Sequence, residues 1–405
     1  MTRHLAIRAA LLTGTLACLG STAGAQSAGS TYADIDAGLG YSTNPNLAFG
    51  PNVGSGFGRI SARGVHAWRT ERSSSSVSGF VENSTYFRKY GNTQIFSVSG
   101  ATDYRASESL RLFGNVGFSG DLGGQLQSRF AAVPNTPVVI DPQVPPLLTV
   151  VDPQLVSLLG RQYRVNGQVG GSTRLNARDF LSVSAGVQKV WFTGANQANN
   201  FNTYSGSVAF ERQLSERKSI GARMSVQRAD YRSGGRSTSF GPEIYGRLQF
   251  SEAWSATGSI GANFTNQRSL RFGNSNSTSL SFSGSLCRTG PTDSLCAQLS
   301  RNSQNAATGD LLQTTSGGVS YSRKLSNLDS IQFSLNASRY SGAQFLNQSS
   351  ASTFLSGAAS YNRRINGRLY GGINAVARQV AQFGPDPKAD LGANVFLRYR
   401  LGDMQ

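Results

Sequence analysis

The chain has 405 residues, with 38 Lys and Arg against 21 Asp and Glu, a formal net charge of +17, 47 Gly, 12 Pro, three Cys and two His. Charged residues make up only 15%, against about a quarter in an ordinary soluble domain, and 38% apolar content with 10% aromatic residues argues against intrinsic disorder. High glycine with low charge also speaks against a helical enzyme.

Residues 1–25 read as a secretory signal peptide. Arg3 and Arg8 form a basic start, Leu5 to Leu19 carry an apolar stretch, and Ala23-Gly24-Ala25 offers a small-residue cleavage site before Gln26. A lipoprotein reading would use Cys18, but Thr15-Leu16-Ala17 fits a lipobox poorly. Cleavage after Ala25 leaves residues 26–405 with a net charge of +15 and without His4 or Cys18. No later segment has the roughly 18 consecutive apolar residues of a spanning helix. The best candidate, Val138 to Leu159, is interrupted by Pro142, Pro145, Pro146 and Pro153. A membrane role must therefore use strands.

The first predicted strand is Tyr32 to Gly40, with Asp34 and Asp36 on its polar side. It runs into Gly38-Leu39-Gly40-Tyr41-Ser42-Thr43-Asn44-Pro45-Asn46-Leu47, which is similar to the opening strand and loop of a family of outer-membrane β-barrel porins of proteobacteria. Members of that family are often associated with exopolysaccharide production and export. The resemblance implies a passage or docking role for surface polysaccharide, and it brings no catalytic residues to transfer.

His66, the one histidine left after processing, shares a face with Ile60, Ala62 and Trp68, which predicts a site at the lipid interface beside an aromatic anchor. That direction is wrong for a Ser-His-Asp triad, and Gly54-Ser55-Gly56 has neither the spacing of a nucleophile elbow nor a following helix. No catalytic residue, metal site or cofactor is expected.

The long connection 121–160 is rich in Pro and more apolar than a solvated loop. It contains an internal echo, Val139-Ile140-Asp141-Pro142-Gln143 and Val150-Val151-Asp152-Pro153-Gln154. It is expected to be the third outer loop, folded inward to narrow a pore; contact with a partner protein or glycan and a loose surface loop are the alternatives.

From there the apolar period is two. Trp254, Ala256, Gly258, Ile260, Ala262 and Phe264 oppose Ser255, Thr257, Ser259, Gly261, Asn263 and Thr265, and the same split recurs at Ile220–Val226 and Ile331–Ala337. Short polar connections (176–179, 215–218, 251–253, 326–329, 364–367) alternate with longer ones rich in Asn, Gly and Ser (193–200, 232–237, 268–276, 342–349). Short turns at one end and long loops at the other predict a single closed antiparallel transmembrane β-barrel of about 18 strands, 16 remaining open. Closure hides every sheet edge, which a bilayer demands. A soluble β-sandwich rarely needs so many strands, and no fixed short repeat supports a solenoid.

Cys287 and Cys296 bracket a turn between two strands on the polar side, which predicts a structural disulfide in an oxidising periplasm. The last strand, Leu391 to Leu401, follows Asp390; the pattern of Asp390, Gly392, Val395 and Leu397 resembles the terminal signal read by the barrel assembly machinery, although the chain ends Gly402-Asp403-Met404-Gln405 rather than on an aromatic residue. Closure sets this strand antiparallel to the first. The numbers of Asp34 and Arg400, and of Asp36 and Arg398, both add to 434, so one register pairs them both. The alternative is a solvated, unpaired seam.

If the apolar set faces lipid, Arg111, Arg164, Arg174, Arg223, Arg247, Arg398 and Arg400 line the interior and should repel cations and concentrate anions. Some of them would instead sit at the rims, paired with headgroups or carboxylates. Nucleic-acid binding is a poor use of charge scattered at strand spacing through an exported chain. The expectation is an integral outer-membrane, porin-like channel for anionic solutes or acidic exopolysaccharide, with membrane lipid and the assembly machinery as partners. The alternatives are a non-conducting structural or partner-binding barrel of an envelope polysaccharide complex and, least favoured, an outer-membrane enzyme acting on lipid or glycan.

Overall fold

A computed structural model describes residues 28–45, 47, 53–88, 90–121, 161–193, 200–269, 273–305, 311–341, 344–345, 348–349, 352–381 and 388–402. The expected signal peptide, residues 1–25, and nearly all of the long connection 121–160, with its expected inward fold, lie outside these residues. Among the described residues there is no helix and there are 20 strands. In chain order the first ten are β1 (Ala28–Ser42), β2 (Ser55–Arg69), β3 (Ser73–Tyr86), β4 (Asn92–Arg105), β5 (Leu110–Asp121), β6 (Gln162–Arg174), β7 (Asp179–Phe192), β8 (Phe201–Ser215), β9 (Lys218–Tyr231) and β10 (Arg236–Gln249). They are followed by β11 (Trp254–Ser269), β12 (Gly273–Thr289), β13 (Asp293–Asn305), β14 (Leu311–Lys324), β15 (Asp329–Ser341), the two-residue β16 (Gln344–Phe345) and β17 (Gln348–Ser349), β18 (Ser352–Arg364), β19 (Leu369–Ala381) and β20 (Asp390–Gly402).

All strands but β16 and β17 form one 18-stranded sheet in which each pairs antiparallel with its neighbour, and β1 pairs with β20 to close it. The fold is a closed antiparallel barrel with 18 strands rather than 16. Its strands run 12–17 residues, longer than the roughly 9–11 that span a bilayer. Both end strands exceed their predicted bounds, since β1 starts at Ala28 and β20 reaches Gly402.

The expected loop at 268–276 is a correction: β11 continues to Ser269 and β12 begins at Gly273. Asn274, Ser275, Asn276 and Ser277 are polar on both faces and exposed, so no alternation marks them, yet they pair with Arg268, Gln267, Asn266 and Thr265. The predicted loop at 232–237 likewise yields its last two residues to β10.

The large apolar side chains stand exposed on one face of the wall, among them Leu39, Ile60, Val169, Leu335 and Val395. A soluble protein would bury such a surface; a wall solvated by hydrocarbon need not. The other face is concave. There Tyr245 of β10 reaches past Gly221 of β9 to donate a hydrogen bond, at 3.4 Å, to the Phe210 carbonyl of β8. A Cβ on Gly221 would lie 2.4 Å from the Tyr245 ring, so only glycine lets the tyrosine cross.

Three of the short turns share one device. Asn176 Oδ1 accepts from the backbone N–H of Arg178 and Asp179, Ser326 Oγ from Leu328 and Asp329, and Asn366 Oδ1 from Arg368 and Leu369, all at 2.8–3.1 Å. The strands leaving these three turns, β7, β15 and β19, show the same succession of burial along their first 13 residues.

Candidate functional site

The candidate site is the inner wall with its two rims. At the closing seam Asp34 faces Arg400 and Asp36 faces Arg398, the one register that pairs both couples, in place of the unpaired alternative. Arg400 Nε lies 2.7 Å from Asp34 Oδ1 with Nη2 at 2.8 Å from Oδ2, and Arg398 Nε lies 2.5 Å from Asp36 Oδ1. The Arg400 guanidinium also sits over the rings of Tyr32 (4.6 Å) and Tyr370 (5.7 Å), which hold its plane fixed.

The alternation puts all seven predicted arginines on the inner face, but four of them are neutralised there. Besides Arg398 and Arg400, Arg111 Nε is 2.7 Å from Asp103, diagonally across β4 and β5, and Arg223 pairs with Glu243, its register partner on β10. Arg174 stacks on Phe180 at 5.6 Å. Formal charge therefore overstates the field inside the barrel, because a bidentate couple acts at a distance as a dipole. Inner-face bases with no ion pair among the described residues are Arg69, Arg105, Arg174, Arg247, Lys324 and Arg364. Each stands at or within two residues of the end of a strand that descends into a short turn. They form a basic rim at the short-turn end.

The opposite rim is organised by Asp390, the first residue of β20, which is 1% exposed. It accepts from Ser42 Oγ at 2.5 Å, from the Asn44 backbone N–H at 2.9 Å and from Arg378 Nε at 3.0 Å. Arg378 also donates to the Pro45 carbonyl, and Asn44 Nδ2 donates to that of Lys388 at 2.8 Å. The start of the first long loop is thus tied down against the inner face of β19 and β20, with Asn44 and Pro45 fully buried. Leu47 takes a left-handed φ of 48° and donates its N–H to the Asn44 carbonyl. Tyr90, from the second loop, donates to the Val53 carbonyl at 2.6 Å, and burial raises its pKa above the ordinary phenol range. Sequence reasoning missed this knot; Asp390 entered only as part of a terminal signal.

Near the same rim the inner face turns apolar, with Val190, Phe192, Tyr231, Leu312 and Tyr340 all buried. Phe201 packs on Val190 and Phe192 and meets Tyr231 at 5.6 Å.

On the outer face His66 accompanies Trp68 with ring centroids 5.3 Å apart, and its Nδ1 is 2.7 Å from Thr31 Oγ1. Toward the long-loop rim the outer face carries an aromatic patch in which Trp191 stacks on Tyr163 (5.6 Å) and Phe118 (6.1 Å). Cys287 and Cys296 are register partners on the inner face and form a disulfide across the β12–β13 hairpin. No group of three or more metal-ligating side chains occurs among the described residues.

No protein-family model matches the chain, and no curated protein matches it. Among solved structures the chain is similar to OccK2 (OpdF) of Pseudomonas aeruginosa, at 11% identity and a TM-score of 0.47 over 93% of this chain and 99% of that one. It is also similar to a BenF-like porin of Pseudomonas fluorescens Pf-5, at 8% identity and 0.47 over 93% and 99%. The FrpB iron transporter of Neisseria meningitidis is similar at 9% identity and 0.48 over 87% of this chain, which spans only 62% of that longer protein.

Proposed function

We propose that the chain is an integral outer-membrane, porin-like channel that passes water-soluble solutes and favours anions. The observation that carries this reading is the wall itself: 18 strands closed edge to edge, large apolar side chains exposed on the convex face, and Asp, Arg, Asn and Ser side chains on the concave one. Hydrocarbon suits the first surface and water the second. Anion preference rests on the rim of Arg69, Arg105, Arg174, Arg247, Lys324 and Arg364, none of which makes an ion pair among the described residues and which outnumber Glu211, the inner-face carboxylate in the same register row as Arg174. An acidic exopolysaccharide is the finer assignment, supported by that charge and by the resemblance of residues 38–47. Delivery by the barrel assembly machinery is in keeping with the β20 pattern.

Reconstitution into planar bilayers across a KCl gradient tests this directly. Discrete conductance with a reversal potential on the chloride side is expected; cation preference overturns the anion assignment.

A second reading, a non-conducting barrel that docks an envelope complex, is favoured by the buried apolar collar of Val190, Phe192, Tyr231, Leu312 and Tyr340 at the long-loop rim. It requires silence in the same bilayers, with co-purification of an envelope partner.

A further inference from the structure

Outward-facing bases are treated differently at the two ends of the barrel. At the short-turn end Arg212 is 3.8 Å from Asp179, Arg288 is 2.7 Å from Asp293 and Arg363 is 3.8 Å from Asp329, while Arg323 is the register partner of Asp293. Lys218 is the exception. At the long-loop end the alternation turns Lys189, Arg228, Arg236, Arg268, Arg301 and Arg339 outward. Among the described residues one carboxylate, Asp230, shares that level, and it already accepts from Arg228 at 3.2 Å and Arg236 at 3.0 Å.

Register arranges five of these six bases in two rows, with Arg228 two residues below Asp230 on β9. Lys189, Asn202, Asp230, Arg236 and Arg268 are successive partners from β7 to β11. Arg301, Thr315, Arg339 and Thr353 are successive partners from β13 to β18. With strands about 4.8 Å apart, the first row spans about 19 Å along the wall. The Lys189 ammonium lies 6.0 Å from the Trp191 ring, in the aromatic patch that includes Tyr163, so the row sits where hydrocarbon gives way to headgroups. The Nε of Arg301 is buried without a hydrogen-bond partner, although its Nη2 donates to Gln313 at 2.5 Å. Cations turned toward lipid and short of carboxylates need anions from outside the chain. The Asn and Thr side chains between them suit sugar hydroxyls.

We propose that this arc, from β7 to β18, docks the phosphate groups of a phosphorylated glycolipid in the leaflet at the long-loop end. The inference rests on the membrane-barrel reading and adds a ligand to its outer surface. Charge complementarity selects the occupant: a neutral lipid leaves the two rows unanswered, and the paired bases at the other end need no such partner.

The test uses the full mature chain in alkyl maltoside, titrated with diphosphoryl lipid A, with its dephosphorylated form and with inorganic phosphate. The readout is the midpoint temperature of heat-modifiable gel mobility. Diphosphoryl lipid A is expected to raise the midpoint by several degrees, the other two leaving it in place. The double variants R236Q/R268Q and R301Q/R339Q should need about tenfold more lipid for the same shift. The variant R212Q/R363Q, at the opposite end, should respond like the parent. An equal shift with dephosphorylated lipid or with inorganic phosphate, or full response in the arc variants, overturns the proposal while leaving the barrel intact. Absence of any heat-modifiable species in the lipid-free control overturns the membrane barrel and this site together.

Discussion

Asp34 and Arg400, 366 residues apart in sequence, are register partners across the closing seam and share two hydrogen bonds. Asp34 is 5% exposed, so a charge removed from one partner leaves the other desolvated and unanswered. Arg400→Glu is expected to destabilise the barrel by about 3 kcal/mol, the low end for a buried pair because lumen water reaches the arginine. The exchange Asp34→Arg with Arg400→Glu should recover at least half of that. Thermal midpoints of the folded gel species measure both.

Asp390 answers Arg378, Ser42 and Asn44 at once, so Asp390→Asn should cost about 3 kcal/mol or more by leaving a buried guanidinium without its counter-charge. Release of the first loop is the local consequence. Chymotrypsin should then cut after Leu47 in the detergent-solubilised variant at a rate well above that of the parent.

Selectivity should follow the unpaired bases and ignore the paired ones. The triple variant Arg105→Gln, Arg174→Gln, Arg364→Gln is expected to move the reversal potential toward the cation side in a KCl gradient. Arg223→Gln combined with Glu243→Gln, which removes a neutral couple, should leave it within error of the parent.

The disulfide closes a hairpin of sequence separation nine, for which chain entropy assigns about 2–3 kcal/mol. Cys287→Ser with Cys296→Ser is expected to lower the thermal midpoint accordingly and to leave single-channel conductance unchanged.

Much of the wall was legible because its physics is local. A period of two needs only the next residue but one, and it located Ile220–Val226, Trp254–Phe264 and Ile331–Ala337 on their strands. A shared index sum singled out the seam register as one of two readings, because antiparallel closure leaves one integer free, but it could not by itself exclude an unpaired seam. The same arithmetic would have paired Arg223 with Glu243 once the connection between β9 and β10 was narrowed from 232–237 to 232–235, and it would have reduced the expected field inside the bore. The knot around Asp390 was not legible. Ser42 and Asn44 meet it about 346 residues away through a loop with no periodicity. The upper part of β12 was hidden for the opposite reason, being polar on both faces.

The three turns held by Asn176, Ser326 and Asn366, each followed by a strand with the same succession of burial, make the hairpin an interchangeable brick. A duplication or deletion of one brick adds or removes two strands, keeps both chain ends at the same rim and changes the diameter in proportion to strand number. Recombination between such units gives a lineage an inexpensive way to retune the bore without redesigning the wall.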